Sequence, residues 1–227
     1  MFCEESERRH IGQAARLFSG TNTTMPKRII AIVIMLCCSP YAAQAAATPG
    51  TTEIIQYVPT VPEKTVEGNC WTSSIAAYYS PSAWRCMVEN SIYDPCLTAA
   101  DGQTIVCGVP DDEFAIKLTE PLPEPDKTDV KPHPWRIELA DGVICEPFTG
   151  TLPPIEETAL YGCSDADNSA LLEDLQQNDG GLWQARKVLI ERKENAKEDE
   201  LPFHITQETL VPIFKVWFAG DPAKDAK

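Results

Sequence analysis

Alternating apolar and polar positions dominate this chain and predict strands more often than helices. Phe114, Ile116 and Leu118 alternate with Ala115, Lys117 and Thr119, the period of a half-buried strand. Trp135, Ile137 and Leu139 alternate with Arg136 and Glu138, and Val143-Ile144-Cys145 resumes the run after Ala140-Asp141-Gly142. An Asp-Gly step between two such runs predicts a β-hairpin, with Trp135, Ile137 and Leu139 buried and Arg136 solvated. Residues 210–218 (LVPIFKVWF) are almost continuously apolar and predict a strand covered on both sides, its beginning placed at an edge by Pro212. Shorter strands are predicted over residues 70–77 and 104–108.

Other segments break this pattern. Leu171, Leu172 and Leu175 fall at helical spacing, with Asp167 or Asn168 as a cap and Gly180-Gly181 beyond the end, so one short helix is predicted over residues 169–177. A single helical turn capped by Ser80 is predicted over 81–87, and a turn at the Asp-Pro step of Tyr93-Asp94-Pro95-Cys96. Residues 182–191 fit strand and helix equally. The charged run 191–200 predicts a solvated loop or ribbon tip, and the proline-rich stretch 121–134 an extended connector.

The N-terminal region changes the picture from a fold to a location. Lys27-Arg28 precedes the apolar run Ile29 to Cys38, and Ala43-Gln44-Ala45 supplies a small-x-small cleavage pattern. Residues 25–45 therefore read as a signal peptide cut after Ala45, and residues 1–24 as an upstream segment ahead of the true start at Met25. The apolar run is shorter than the roughly 20 residues a membrane span needs. Leu36 and Cys37 stand where a lipobox wants small residues, so no lipid anchor is expected. The reading divides the rest into a peripheral entry segment (46–69), a β-rich domain (70–218) and a flexible tail (219–227).

Six cysteines follow the leader: Cys70, Cys86, Cys96, Cys107, Cys145 and Cys163. An even number in an exported chain predicts three disulfides. Short loops close at least entropic cost, which favours Cys145–Cys163 and Cys86–Cys96 and leaves Cys70–Cys107. No close CxxC pair supports a structural zinc site. The full chain carries a net charge of −15; the leader holds five basic and three acidic residues, so 14 Lys+Arg face 31 Asp+Glu in the remainder, a net charge of −17. Such a surface repels nucleic acid and anionic lipid.

Catalytic patterns are weak. Gly68-Asn69-Cys70-Trp71 with His204 faintly resembles a papain-like nucleophile and base, but no upstream Gln or following Asn completes that site, and using Cys70 would leave an odd cysteine. Ser73 and Ser74 lack a GxSxG elbow, and His133 and His204 have no metal-ligand spacing. Asp111-Asp112-Glu113 and Asp165 to Asp167 lack the alternating calcium loop. Among so many carboxylates a glycosidase-like pair cannot be nominated from spacing. No catalytic, cofactor or metal residue is assigned. The five Trp residues predict packing against core and disulfides, with an exposed subset available as a binding platform.

Taken in order, CWTSSIA (70–76), AWRCM (83–87), NSIYDPC (90–96), VCG (106–108), KLTEPLP (117–123) and the stretch from Trp135 to Cys145 resemble a group of exported, disulfide-rich bacterial proteins of unassigned function. The likeness covers about residues 68–150, and more loosely residues 182–218. It implies an exported disulfide-stabilised domain and supplies no site residues. The sequence thus predicts a single antiparallel β-rich domain, sandwich or barrel-like, with three disulfides. The function expected is a non-catalytic extracytoplasmic module for an envelope or extracellular ligand; the alternative is a hydrolase of envelope polymers using a carboxylate pair.

Overall fold

Period-two patterning builds strands, and the strands close into two rings. The structure, a computed structural model, describes residues 50–125, 132–166, 168–194, 196–197 and 200–222. The segment expected to be a signal peptide, with the expected cleavage residues Ala43 and Ala45, the segment before it, and parts of the connector and tail lie outside the described residues. Strand β1 (Glu53–Tyr57) comes first. The first ring comprises β2 (Thr65–Ser73), β3 (Ala83–Val88), β4 (Ser91–Thr98), β5 (Ile105–Cys107) and β6 (Phe114–Leu118). Five strands that alternate in direction start and finish the same way, so β6 closes on β2 in parallel.

The second ring comprises β7 (Arg136–Leu139), β8 (Ile144–Pro147), β9 (Ala159–Cys163), β10 (Ser169–Leu172), β11 (Trp183–Arg192) and β12 (Phe203–Ala219). Six alternating strands finish opposite to their start, and β12 accordingly meets β7 antiparallel. Strand β1 then lies parallel to the last residues of β12. Both rings belong to the compact unit Ala46–Lys227. The chain is mainly β, and no described helix is long and apolar enough to cross a membrane.

Each ring has its own core. Cys70, Trp84, Cys86, Cys96, Ile105, Cys107, Phe114 and Ile116 fill the first. Ile137, Leu139, Tyr161, Leu171, Ala185, Ile213 and Val216 fill the second. The disulfides are Cys70–Cys86, Cys96–Cys107 and Cys145–Cys163, each joining neighbouring strands. Cys145–Cys163 agrees with the loop-closure argument; Cys86–Cys96 and Cys70–Cys107 are corrected. The Cys86, Cys96 and Cys107 sulfurs lie within 4.8 Å of one another. The bonds nevertheless follow strand pairing, Cys70 opposite Cys86 and Cys96 beside Cys107 on β4 and β5, rather than loop length.

Several local expectations are also corrected. Residues 169–172 form β10, not a helix: all four are buried, and β9 and β11 pair with them on either side. Pro81-Ser82 is a turn, after which Ala83 enters β3 directly. The Asp94–Pro95 peptide is cis and sits inside β4, where the register against β3 slips between Trp84 and Cys86. A bulge is one of the few places where an interior strand accepts proline. The entry segment is not peripheral. It supplies β1 and the start of β2, and the buried Thr52 hydroxyl donates to the Ile213 carbonyl at 2.8 Å and accepts the Trp183 amide at 2.7 Å.

Strand β11 covers Trp183–Arg192, so Glu191 and Arg192 of the charged run belong to it, and the described residues of the run beyond them lie between β11 and β12. Strand β12 pairs with β7 only from Ile213 onward, so Pro212 stands where its second edge becomes covered.

The β7–β8 hairpin forms with Ile137 and Leu139 buried and Gly142 at a φ of +83°. Arg136 does not stand free in solvent: its side chain is only 16% exposed, and Nη1 donates to Glu146 at 2.7 Å and to Asp111 at 3.4 Å. A Cβ at Gly142 would meet nothing within 4 Å. Gly142→Val should therefore cost backbone strain alone, about 1–3 kcal/mol in urea unfolding. A loss under about 0.5 kcal/mol, the size of an ordinary surface change, would mean that the turn relaxes.

Candidate functional site

Two concave regions involve the first ring, and β2 and β4 build them through their irregularities. In β2, Cys70 pairs with Cys86 while Thr72 already pairs with Arg85, so Trp71 is the extra residue of a bulge. Bulges re-aim a side chain, and here Trp71 is 42% exposed, whereas Trp84, Trp135 and Trp183 are buried. Asn69, Met87 and Ile92 form one cross-strand row beside it, with Met87 43% and Ile92 51% exposed. Three large apolar side chains thus share the outer face of β2, β3 and β4.

A shallow groove of about 550 Å³ is lined by Glu67, Asn69, Trp71, Met87, Glu89 and Thr119, among others. Glu89 opens the two-residue β3–β4 turn at a φ of +53°, a conformation Gly or Asn adopts at less cost. Such strain persists where the surroundings over-determine it, and it often accompanies a function. Lys117 donates to Glu67 at 2.8 Å and holds that carboxyl below its ordinary range. The Asn69 amide nitrogen donates to Glu120 at 3.3 Å. The Arg85 guanidinium lies 6.0 Å from the Trp71 ring centroid, donates to Asp94 at 3.4 Å, and donates to the Thr149 carbonyl at 2.9 Å.

The second region is a cleft of about 280 Å³ lined by Asp94 and Pro95 of β4, Gly108 and Val109 after β5, and Trp135, Glu146 and Thr149 of the second ring's sequence. The Asp94 side chain is 1% exposed. Its Oδ1 accepts the Ser74 hydroxyl at 2.5 Å and the Ala76 amide at 3.3 Å; Oδ2 accepts the Ile75 amide at 3.3 Å as well as Arg85. Burial lifts the Asp94 carboxyl above its ordinary value, outweighing these four donors. Both oxygens are therefore engaged, Oδ1 by the loop after β2 and Oδ2 by that loop and Arg85.

The sequence candidates are dispersed accordingly. Cys70 is bonded to Cys86, which removes it as a thiol nucleophile. Ser74 serves Asp94, and its oxygen accepts the Ala77 amide at 2.8 Å. His204 lies in β12 opposite Glu191, while His133 packs edge-on to Tyr79. Asp111 pairs with Arg136, Asp112 with Lys64, and Glu113 accepts the Tyr57 hydroxyl. Asp165 pairs with Lys187. Met87, Glu89 and Ile92 were not singled out by sequence. The Glu89-Asn90 step between two strand-compatible runs was the available signal for their hairpin.

No protein family, curated protein or solved structure matched the chain.

Proposed function

We propose that this chain is an exported, non-catalytic binding module acting at or outside the cell envelope, with the Trp71 groove as its ligand-facing surface. The observation that carries this reading is the bulge at Trp71, which turns a large aromatic outward beside exposed Met87, with Ile92 the next residue of the Met87 cross-strand row. Apolar groups gathered on the surface of a soluble domain mark interaction sites more often than isolated ones do. Three disulfides and the leader-like N-terminus support the extracytoplasmic location.

A hydrolase using Asp94 and Glu146 draws support from the raised Asp94 carboxyl, because perturbed acids cluster at active sites. The four donors on Asp94 and the Arg136 contact to Glu146 weigh against it, since each acid already has a structural partner.

Titration with soluble envelope polysaccharide fragments and with short peptides separates the two readings. Trp71→Ala should weaken a bound ligand about tenfold, whereas Ile54→Ala, at an exposed apolar residue of β1, should not. Binding indifferent to Trp71, or cleavage of the polymer that is lost in Asp94→Asn, would overturn the proposal.

A further inference from the structure

Resting on that reading, we infer that the Trp71 groove takes a basic, extended segment of a partner protein. The polar chemistry of the groove is one-sided. Each of its side-chain donors already has a partner: Thr119 donates to the Gly68 carbonyl, the Asn69 amide to Glu120, and Lys117 to Glu67. What remains open is acceptor capacity on Glu67, Glu89 and Glu120, and Glu89 makes no hydrogen bond or ion pair among the described residues. A carboxylate accepts and cannot donate. A ligand that supplies N–H donors and positive charge complements these carboxylates.

The apolar part sets the ligand's shape. Met87 and Ile92 are cross-strand neighbours in one row with Asn69, and Trp71 lies a bulge further along β2. Strands lie about 4.8 Å apart, so the row spans about 10 Å, more than one ammonium group contacts. An extended peptide matches this surface by setting an aliphatic stem on Met87, continuing past the groove's edge onto Ile92, and placing a Lys or Arg head near Trp71 and Glu89. The Trp71 ring already has a guanidinium nearby in Arg85, the same cation–aromatic contact a ligand would add. The net charge of −15 steers a basic partner toward the protein and repels an acidic one.

Calorimetric titration of the oxidised protein tests this with three probes: a short peptide alternating Lys and Leu, its Glu-for-Lys counterpart, and soluble polysaccharide fragments. The Lys peptide should bind, and the Glu peptide should not. Trp71→Ala should weaken the Lys peptide about tenfold with the protein's charge unchanged. Met87→Lys, which puts a cation in the groove, should abolish binding, and added salt should weaken it. Circular dichroism identifies any variant that has lost the fold, so that the other variant decides. Equal binding of the Lys peptide to wild type and both folded variants overturns the inference, as does failure to bind. If polysaccharide binds in a Trp71-dependent manner and the Lys peptide does not, the basic-segment inference falls while the binding-module reading stands. If no probe responds to Trp71, both fall.

Discussion

Asp94→Ala should destabilise the fold by about 2–4 kcal/mol, because it strands several donors at once. The Ser74 hydroxyl, the Ile75 and Ala76 amides and one arm of Arg85 all converge on this carboxylate. The side chain is 1% exposed, so water cannot replace it without opening the loop. The effect should also depend on pH. Burial is the largest influence on Asp94 and holds its carboxyl above the ordinary 3.8, so the folded state binds the proton more tightly than the unfolded chain. The Asp94 contribution is then full below about pH 4 and declines as the pH rises through the folded value. Urea unfolding should accordingly show a wider gap between wild type and Asp94→Ala at about pH 4 than at about pH 7. Glu146→Ala is the control from the same cleft: that side chain is 53% exposed and should cost under about 1 kcal/mol. A gap of under 1 kcal/mol for Asp94→Ala at both values would mean that the loop after β2 is held by something else.

The same convergence explains what could be read from sequence. Alternation was legible wherever one face of a strand is buried and the other solvated, as at Phe114 to Leu118 and around Asp141-Gly142. It failed for Ser169 to Leu172, which are buried on both faces: four apolar or small residues in a row carry no period, and Leu175 lent them a helical spacing by accident. Loop closure found Cys145–Cys163 because β8 and β9 are also consecutive and paired. It failed for Cys86 because the β3–β4 register sets Tyr93 opposite Cys86, leaving Cys96 to bond across to β5. The candidate groove was hidden for a related reason. A bulge is a property of two strands in register, and nothing in Cys70-Trp71-Thr72 alone says which neighbour counts twice. Likewise Asp94-Pro95 carries the composition of a turn, and only the pairing of its flanks with β3 makes it a strand irregularity that aims the carboxylate at the Ser74 loop.

Gly108→Ala should cost about 3–5 kcal/mol, from strain and collision together. Gly108 has a φ of +76°, and its carbonyl accepts the Asp111 and Asp112 amides at 3.1 and 2.9 Å, so the chain curls tightly back over it. A Cβ at this position would lie 2.1 Å from the Asp112 carbonyl oxygen. Backbone is on the receiving side, so no rotamer change relieves the contact, and the loop from Asp111 to Glu113 has to move. That loop carries the Asp111 contact to Arg136, the Glu113 contact to Tyr57, and the entry of Phe114 into the first core. Gly142→Ala provides the comparison, since Gly142 has a similar φ with empty space around its Cβ and pays for strain alone, about 1 kcal/mol. Paired urea titrations should therefore separate the two variants by about 2 kcal/mol or more. Equal losses would mean that the Gly108 loop yields at little cost, and the cleft wall it forms would have to be regarded as soft.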